Sequence, residues 1–318
     1  KKEHKVLGRS LKWIREGVIE FGIGKDYIEK SVEELEMSLK EGTRTVPTWE
    51  KSKEEDKVLG EGGQSRYRSF VGKLVWLDRS DLKPVTHYAG TRLGNATERD
   101  MRCMVKLWRY IIGTRDMVQT IYPVNLKVNN VPEEGGCVVQ TDSDWAGELC
   151  GSRRSLSGCA IWIKLENRYW CVQCSTRRQT TVALSSAEAE LAGMVLGATE
   201  GIGVANLARR MLNMSQEIGE DSGRMLVLVG DSSAAIAIVQ KKGSNKKIRH
   251  VEVRAMFLQQ LIRMSGVVVE KVHGTKNWSD MMTKHGKWSD EHYHFVGLSV
   301  EGNSNQSNSC EDVYEQTW

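Results

Sequence analysis

The 318-residue chain contains no uninterrupted apolar run long enough to span a bilayer, and no signal peptide opens it. These absences predict a protein that is neither membrane-inserted nor secreted. Its seven cysteines are odd in number and follow no framework spacing, which excludes a disulfide-stapled scaffold and fits a reducing compartment. Cys171 and Cys174 form a C-x-x-C within the strand-like run Tyr169–Cys174, without a second pair or a histidine at zinc spacing. Strand alternation predicts that these two side chains point to opposite faces. Phosphate-loop signatures are missing: Gly201-Ile202-Gly203 opens no G-x-G-x-x-G and follows no strand. There is no G-x-S-x-G elbow, which argues against a serine hydrolase. No internal repeat stands out. The first residue is Lys1 rather than Met, so the expectation is a fragment or a piece of a polyprotein.

What is present is a globular composition, long enough for two domains. The net charge of +4 is unevenly placed. Residues 137–288 hold 20 Lys and Arg against 14 Asp and Glu, a net of +6, whereas residues 289–318 hold six acids and no Lys or Arg. A basic domain suits a polyanionic ligand, although a basic surface tuned for solubility carries the same signature.

In chain order, Leu11–Ile14 and Val18–Phe21 around Glu16-Gly17 predict a hairpin. Ile28, Val32, Leu35 and Leu39 give one apolar stripe and predict a helix over 26–40. Residues 42–65 read as a charged loop ending in Gly60-Glu61-Gly62-Gly63. Helices are predicted over 66–79, from Pro84 through Leu93, and from the capping box Thr97-x-x-Asp100 to Gly113. On that last helix Arg102, Lys106 and Arg109 form a solvated face. Met117–Tyr122 reads as an edge strand.

From Cys137 the pattern changes. Strands are predicted at 137–142, 156–164, 169–175, 225–230 and 267–272. Helices are predicted from Ser185, from Asp231, over 251–264, and in a short piece carrying Asp280. The order is β-β-β-α-β-α-α-β-α. Residues 301–318 are Ser/Asn-rich and acidic, a composition that predicts disorder.

Four acids draw the attention. Asp142 ends the apolar run Val138–Thr141, Asp231 ends Met225–Gly230, Glu190 lies in a helix, and Asp280 lies in Asn277–Lys284. Such a sheet can gather them at one edge. An uncompensated cluster of that kind repels itself, so it points to bound divalent cations and a two-metal nuclease site. Each pair of near neighbours leaves a choice open. Glu188 and Glu190 lie two apart on a helix, so only one can face the cations. Asp142 rather than Asp144 sits at the strand end.

The element order, with Asp, Glu, Asp and Asp at the corresponding places, resembles ribonuclease H. Local motifs are similar to the copia-type (Ty1/copia) retrotransposon Pol polyprotein. Thr141-Asp142-Ser143-Asp144-Trp145-Ala146-Gly147 resembles its S-D-x-D-W-A-G, and Arg153-Arg154-Ser155-Leu156-Ser157-Gly158 its R-R-S-x-S-G. Gln179–Glu190 resembles Q-x-T-V-A-L-S-S-x-E-A-E. His250 with Val251–Arg254 resembles H-I-x-x-R, and Ser279–Lys284 resembles A-D-x-x-T-K. Upstream, Tyr67–Leu77 is similar to Y-R-S-x-x-G-S-L-x-Y-L and Arg109–Thr114 to R-Y-L-x-G-T. The resemblance covers about residues 6 to 288. The family's polymerase motif Y-x-D-D occurs nowhere, so no DNA synthesis is expected of this chain alone.

The resemblance implies an α/β ribonuclease H-like fold, a five-stranded mixed sheet flanked by helices, at residues 137–288. A mainly helical thumb/connection-like remnant of reverse transcriptase would occupy 1–122, with a linker at 123–136 and an acidic disordered tail at 289–318. It implies hydrolysis of the RNA strand of RNA–DNA hybrids by two Mg²⁺ ions (Mn²⁺ able to substitute), leaving a 3′-hydroxyl and a 5′-phosphate. Asp142 would be shared by both ions, Glu190 and Asp231 would serve the leaving-group side, and Asp280 the water. Glu190 is preferred to Glu188 because Glu190–Met194 resembles the ribonuclease H pattern E-L-x-A-apolar. Arg153, Arg154, Lys246, Lys247, Arg249 and His250 would grip phosphates, with a solvated loop joining two helices as the competing expectation for the run Lys241–His250. The implied partners are the hybrid and the upstream polyprotein segments, without a membrane. The implied setting is a cytoplasmic virus-like particle or the nucleus. The competing expectation is a silent or domesticated module that binds hybrid without cutting. An integrase or transposase ranks lower, because the glutamate comes second in order. His273, in the loop before Asp280, reads as a surface histidine.

Overall fold

The computed structural model describes residues 3–300 apart from 24, 48, 51–52, 54, 133–134, 148–152, 214–224, 242–251, 265 and 287. The chain opens with three antiparallel strands, β1 (Glu3–Val6), β2 (Arg9–Arg15) and β3 (Val18–Gly22). The predicted hairpin is therefore present, extended by one strand. Helix α1 spans Lys25–Glu34, and a 3₁₀ turn follows at Leu39–Glu41. The helix is shorter than predicted: Glu36 takes a left-handed φ of 56°, and the chain turns there.

Helix α2 (Glu61–Leu77) begins five residues before the prediction and takes in Gly62 and Gly63. Two contacts favour helix over loop. Gln64 donates to the Ala96 carbonyl at 2.8 Å, and its backbone N–H closes onto Gly60. Helices α3 (Lys83–Thr91) and α4 (Glu98–Gly113) complete this half. The Thr97/Asp100 capping box forms as predicted, and α4 includes Gly113, with Thr114 as its cap. Ile28, Val32, Phe70, Leu74, Leu107, Trp108 and Ile111 meet in one core. On the outer face Lys106 pairs with Glu50 and Arg109 with Glu41.

Strand β4 (Met117–Ile121) is not an edge. It lies between β3 and a late strand, β11 (Leu298–Val300), in a five-stranded sheet ordered β1-β2-β3-β4-β11. Its second neighbour comes from residues expected to be disordered. After α8 (Asp290–Phe295), β11 (Leu298–Val300) pairs antiparallel with β4. Val296 and Leu298 are buried, so apolar side chains order a stretch whose composition is acidic. Residues 301–318 lie outside the described residues.

The second sheet contains β5 (Pro123–Val124), β6 (Cys137–Asp144), β7 (Leu156–Leu165), β8 (Arg168–Arg178), β9 (Leu226–Gly230) and β10 (Val267–Lys271). Its order is β10-β9-β6-β7-β8-β5. β6, β9 and β10 run parallel, and β6, β7 and β8 form an antiparallel meander. Helices α5 (Ser186–Met211), α6 (Ser233–Gln240) and α7 (Glu252–Arg263) supply the crossovers, which gives the ribonuclease H-like α/β arrangement. The five expected strands are present. The two-residue β5, from the segment expected to link the halves, adds a sixth by pairing with β8.

Alternation decides the two faces. Val139, Cys159, Ile161, Leu226 and Leu228 face α5–α7, whereas Val138, Ala160, Trp162, Val227 and Val229 face the 278–298 region. Helix α5 is long and apolar enough, by length and composition, to cross a membrane, although charged residues interrupt its apolar run. Here it is the central core helix. A Cβ on Gly193, Gly197 or Gly201 would come within 2.4–2.5 Å of Ser143, Thr141 or Val139. These glycines, four residues apart, let the helix backbone lie directly on β6.

Cys171 and Cys174 do not face opposite sides. The register of β7 with β8 slips between Ile161 and Trp162, leaving Val172 as the extra residue of a bulge. The bulge restores both thiols to one face with their sulfurs 3.8 Å apart, because one inserted residue inverts the alternation.

Candidate active site

The site assembles at the end of β6. Even-numbered β6 residues face the 276–284 segment, and hydrogen bonds fasten the two together. Gln140 accepts from the Trp278 N–H at 2.8 Å and donates to the Lys276 carbonyl at 3.4 Å. Asn277 donates to the Thr141 carbonyl at 3.0 Å, and Ser279 donates to Asn277 at 2.6 Å. Asn277 and Ser279 are fully buried. At Gly158 of β7 a Cβ would come within 2.4 Å of Met282, so the missing side chain admits the 3₁₀ turn Trp278–Met282 against the sheet. That turn carries Asp280, where a short α-helix was expected.

β9 runs beside β6 and delivers Asp231 just past its last residue, Gly230. Carboxylate oxygens of Asp142, Asp231 and Asp280 lie within 4.8 Å of one another. Glu190 comes from α5, on the other face of β6, and its carboxylate bonds the Ser143 backbone near the end of the strand. It lies near enough for the Asp142 and Asp231 charges to act on it, although it falls outside the three-carboxylate group.

The electrostatics are those of an under-compensated cluster. Burial, then the charges of Asp142 and Asp231, push the Glu190 carboxyl up to about 9. Burial and Asp142 raise Asp280 to about 6 and push Asp231 upward. Lys284 partly compensates, with its Nζ 2.9 Å from Asp280 and 3.6 Å from Asp142. Burial opposes its charge, but Asp142 and Asp280 more than offset that and raise its pKa. The Thr283 hydroxyl donates to Asp142. The second oxygen of Asp280 is buried with no hydrogen-bond partner. A buried acceptor without a donor, beside other carboxylates, fits a hard cation that takes oxygen ligands.

The two open pairs separate cleanly. Glu188 is buried and its carboxylate accepts the Leu184 N–H at 2.8 Å, while Ser185 caps the Glu188 N–H at 3.2 Å. It closes the helix start, and Glu190 is the residue that turns to the cluster. Asp144 faces its own turn: a Cβ on Gly147 would meet its carboxylate at 2.0 Å. Arg153 and Arg154 lie just before β7, whose Leu156 pairs with Asp144, so they share the carboxylate end of the sheet. Lys246, Lys247, Arg249 and His250 lie outside the described residues. His273 is exposed and caps the 3₁₀ turn Gly274–Lys276.

Sequence reasoning gave no role to Lys284, Thr283, Asn277 or Gln140. The first two stood inside a recognised motif, where a hydroxyl and an ammonium after an aspartate were the available signal. Asn277 and Gln140 carried none, because their role depends on which backbone they meet.

No family model matches the chain. It is 32% identical over 138 residues to an uncharacterized mitochondrial protein of Arabidopsis thaliana, AtMg00810, a match covering 43% of this chain and 52% of that protein. The chain thus spans about half the length of this curated relative. Among solved structures it is similar to the N-terminal RNase H domain of rv2228c from Mycobacterium tuberculosis, at 15% identity and TM-score 0.30. That match covers 46% of this chain and 90% of the other. It is similar also to LC11-RNase H1 isolated from compost by a metagenomic approach, at 13% identity and TM-score 0.33, covering 48% and 95%. The foamy viral protease-reverse transcriptase in complex with RNA/DNA hybrid matches at 11% identity and TM-score 0.44, over 91% of this chain and 31% of that one. With likenesses this distant, the assignment of the fold rests on the strand order and crossovers described above, a ribonuclease H-like sheet and helix set preceded in the chain by strands β1–β4 and helices α1–α4.

Proposed function

We propose that the chain is an endonuclease that hydrolyses the RNA strand of RNA–DNA hybrids with Mg²⁺, and that it is the ribonuclease H part of a copia-type retrotransposon polyprotein. One observation carries the reading. Carboxylates from β6, the end of β9 and the 3₁₀ turn meet within 4.8 Å, with an unpartnered buried oxygen on Asp280. Asp142, Glu190, Asp231 and Asp280 would hold two Mg²⁺ ions. When bound, these ions would supply an activated water and a stabilised leaving oxygen.

The chain's own residues do the rest. Thr283 and the Asn277–Ser279 bonds fix the rotamer of Asp142 and the seat of Asp280. Lys284 holds Asp142 and Asp280 together by charge, and its half-exposed ammonium is available to a phosphate oxygen. Arg153 and Arg154, at the same sheet end, add positive charge for the backbone of the hybrid. The RNA strand would be selected by its 2′-hydroxyls, without sequence readout. Residues 1–122 would be a thumb/connection-like remnant of reverse transcriptase, without polymerase chemistry of their own.

The test is one incubation of the purified chain with labelled hybrid, duplex DNA and duplex RNA, with and without Mg²⁺. Fragments from the hybrid alone, only with Mg²⁺, are expected. Hybrid that is bound but never cut would replace this reading with a binding module. Cut duplex DNA beside intact hybrid would replace it with an integrase-like nuclease.

A further inference from the structure

Trp145 has no role in the fold or in the proposed chemistry. It follows Asp142 by three residues at the end of β6 and keeps 50% of its surface exposed. It belongs to neither core of its sheet. The ring is nevertheless held in place. Its indole N–H donates to the Ala183 carbonyl at 3.1 Å. The next residue, Ala146, takes a left-handed φ of 53° and donates its N–H to Ser155 Oγ at 3.1 Å, which pins the turn behind the ring. Val182 and Leu184, on either side of Ala183, are 46% and 71% exposed. Beside them Arg254 is bonded to Thr181 at 3.3 Å, which brings a positive charge to the ridge.

A hydrogen-bonded tryptophan offers a large contact face at little cost in side-chain entropy. Its distance from the cluster says what it can meet. Three residues of extended chain span ~10 Å. A nucleic-acid strand advances ~3.4 Å along its axis per phosphate. A strand that runs from a phosphate at Asp142 towards the turn after β6 would reach the Trp145 ring about three nucleotides on.

Building on the proposed hydrolysis of hybrids, we propose that Trp145 is a subsite for the strand that is cut. Its ring face packs on a sugar about three nucleotides from the cleaved phosphate. Val182 and Leu184 flank that contact, and Arg254 stands near the adjoining phosphate. The subsite adds affinity by ring contact, so it is independent of counterion release.

The test uses the full chain in a D231N background, so that hybrid is bound and stays intact. Fluorescence polarisation follows the affinity of labelled hybrid over a range of salt. W145A is expected to weaken binding roughly 5-fold, the loss of one ring contact on the backbone sugars. W145F is expected to recover most of it. The slope of log affinity against log salt should stay as in the parent, because no cation has been removed. In the Asp231 chain, W145A should raise KM more than it lowers kcat. W145A binding within twofold of its parent overturns the subsite and leaves the ridge to a protein partner. W145F as weak as W145A also overturns it, because the pinned turn and not the ring face would then matter. If the chain with Asp231 neither binds nor cuts hybrid, the proposed function itself fails, a result distinct from either of these.

Discussion

Replacing Asp142 with Asn should make the metal-free protein more stable while removing its response to Mg²⁺. Asp142 faces two carboxylates at no more than 4.8 Å and one ammonium at 3.6 Å. With an effective dielectric constant near 20, each carboxylate pair costs ~3.5 kcal/mol and the Lys284 pair returns ~4.5 kcal/mol. Net repulsion on Asp142 is thus ~2.5 kcal/mol. Asp280, with its pKa near 6, is partly protonated at mildly acidic pH, which reduces the figure, while solvent screening of the half-exposed Lys284 increases it. Asn keeps the shape and can still accept the Thr283 hydroxyl. A gain of about 1–2 kcal/mol follows, a rise of roughly 2–8 °C for the unit carrying the site. The assay is a thermal melt of both chains in EDTA and in a Mg²⁺ series. The parent should gain stability with Mg²⁺ by mass action, and D142N should not. A D142N chain that melts below its parent in EDTA, or that keeps the parent's Mg²⁺ response, would refute the electrostatic account of the cluster.

Three further outcomes follow from the same geometry. Gly197→Ala puts a methyl 2.4 Å from the Thr141 side chain, so it should lift α5 off β6 and cost about 1–3 kcal/mol, read as a lower denaturant midpoint. Glu190 is raised from 4.5 to about 9, so its contribution is fully present below the unfolded pKa and is lost as pH climbs through the folded value. In EDTA the melting temperature should therefore fall between about pH 5 and 9. Glu190→Gln should flatten that fall, and an unchanged slope would remove Glu190 from the cluster. A mild disulfide oxidant should join Cys171 to Cys174, whose sulfurs are 3.8 Å apart. The product is a chain two mass units lighter, as expected for loss of two hydrogens, with an intrachain link between those residues in a peptide map. Two free thiols persisting there after oxidation would contradict the bulged register.

Most of the fold was legible because its signals are local. Apolar runs ending in Asp gave β6 and β9, and the Thr97/Asp100 box gave the start of α4. What escaped depends on partners distant in sequence. β4 became interior only because β11, some 180 residues on, pairs with it, and apolar Val296 and Leu298 outweigh an acidic composition. The Cys171/Cys174 arrangement turned on one unpaired residue, which no periodicity reveals. The four acids were legible as strand-end and helix positions. Periodicity left Glu188 and Glu190 open and the resemblance preferred Glu190; the cap made by Glu188 gives the physical reason. Glycines 193, 197 and 201 looked idle in the sequence, yet they are what allow α5 to approach β6.

The central claim is that Asp142, Glu190, Asp231 and Asp280 together hold a pair of hard cations. Crystals of the chain soaked in Mn²⁺ test it directly by anomalous scattering. The account predicts two peaks about 4 Å apart among these carboxylates, with Asp142 touching both. A site without peaks at saturating Mn²⁺, or peaks bound elsewhere while Lys284 keeps its bonds to Asp142 and Asp280, would contradict it.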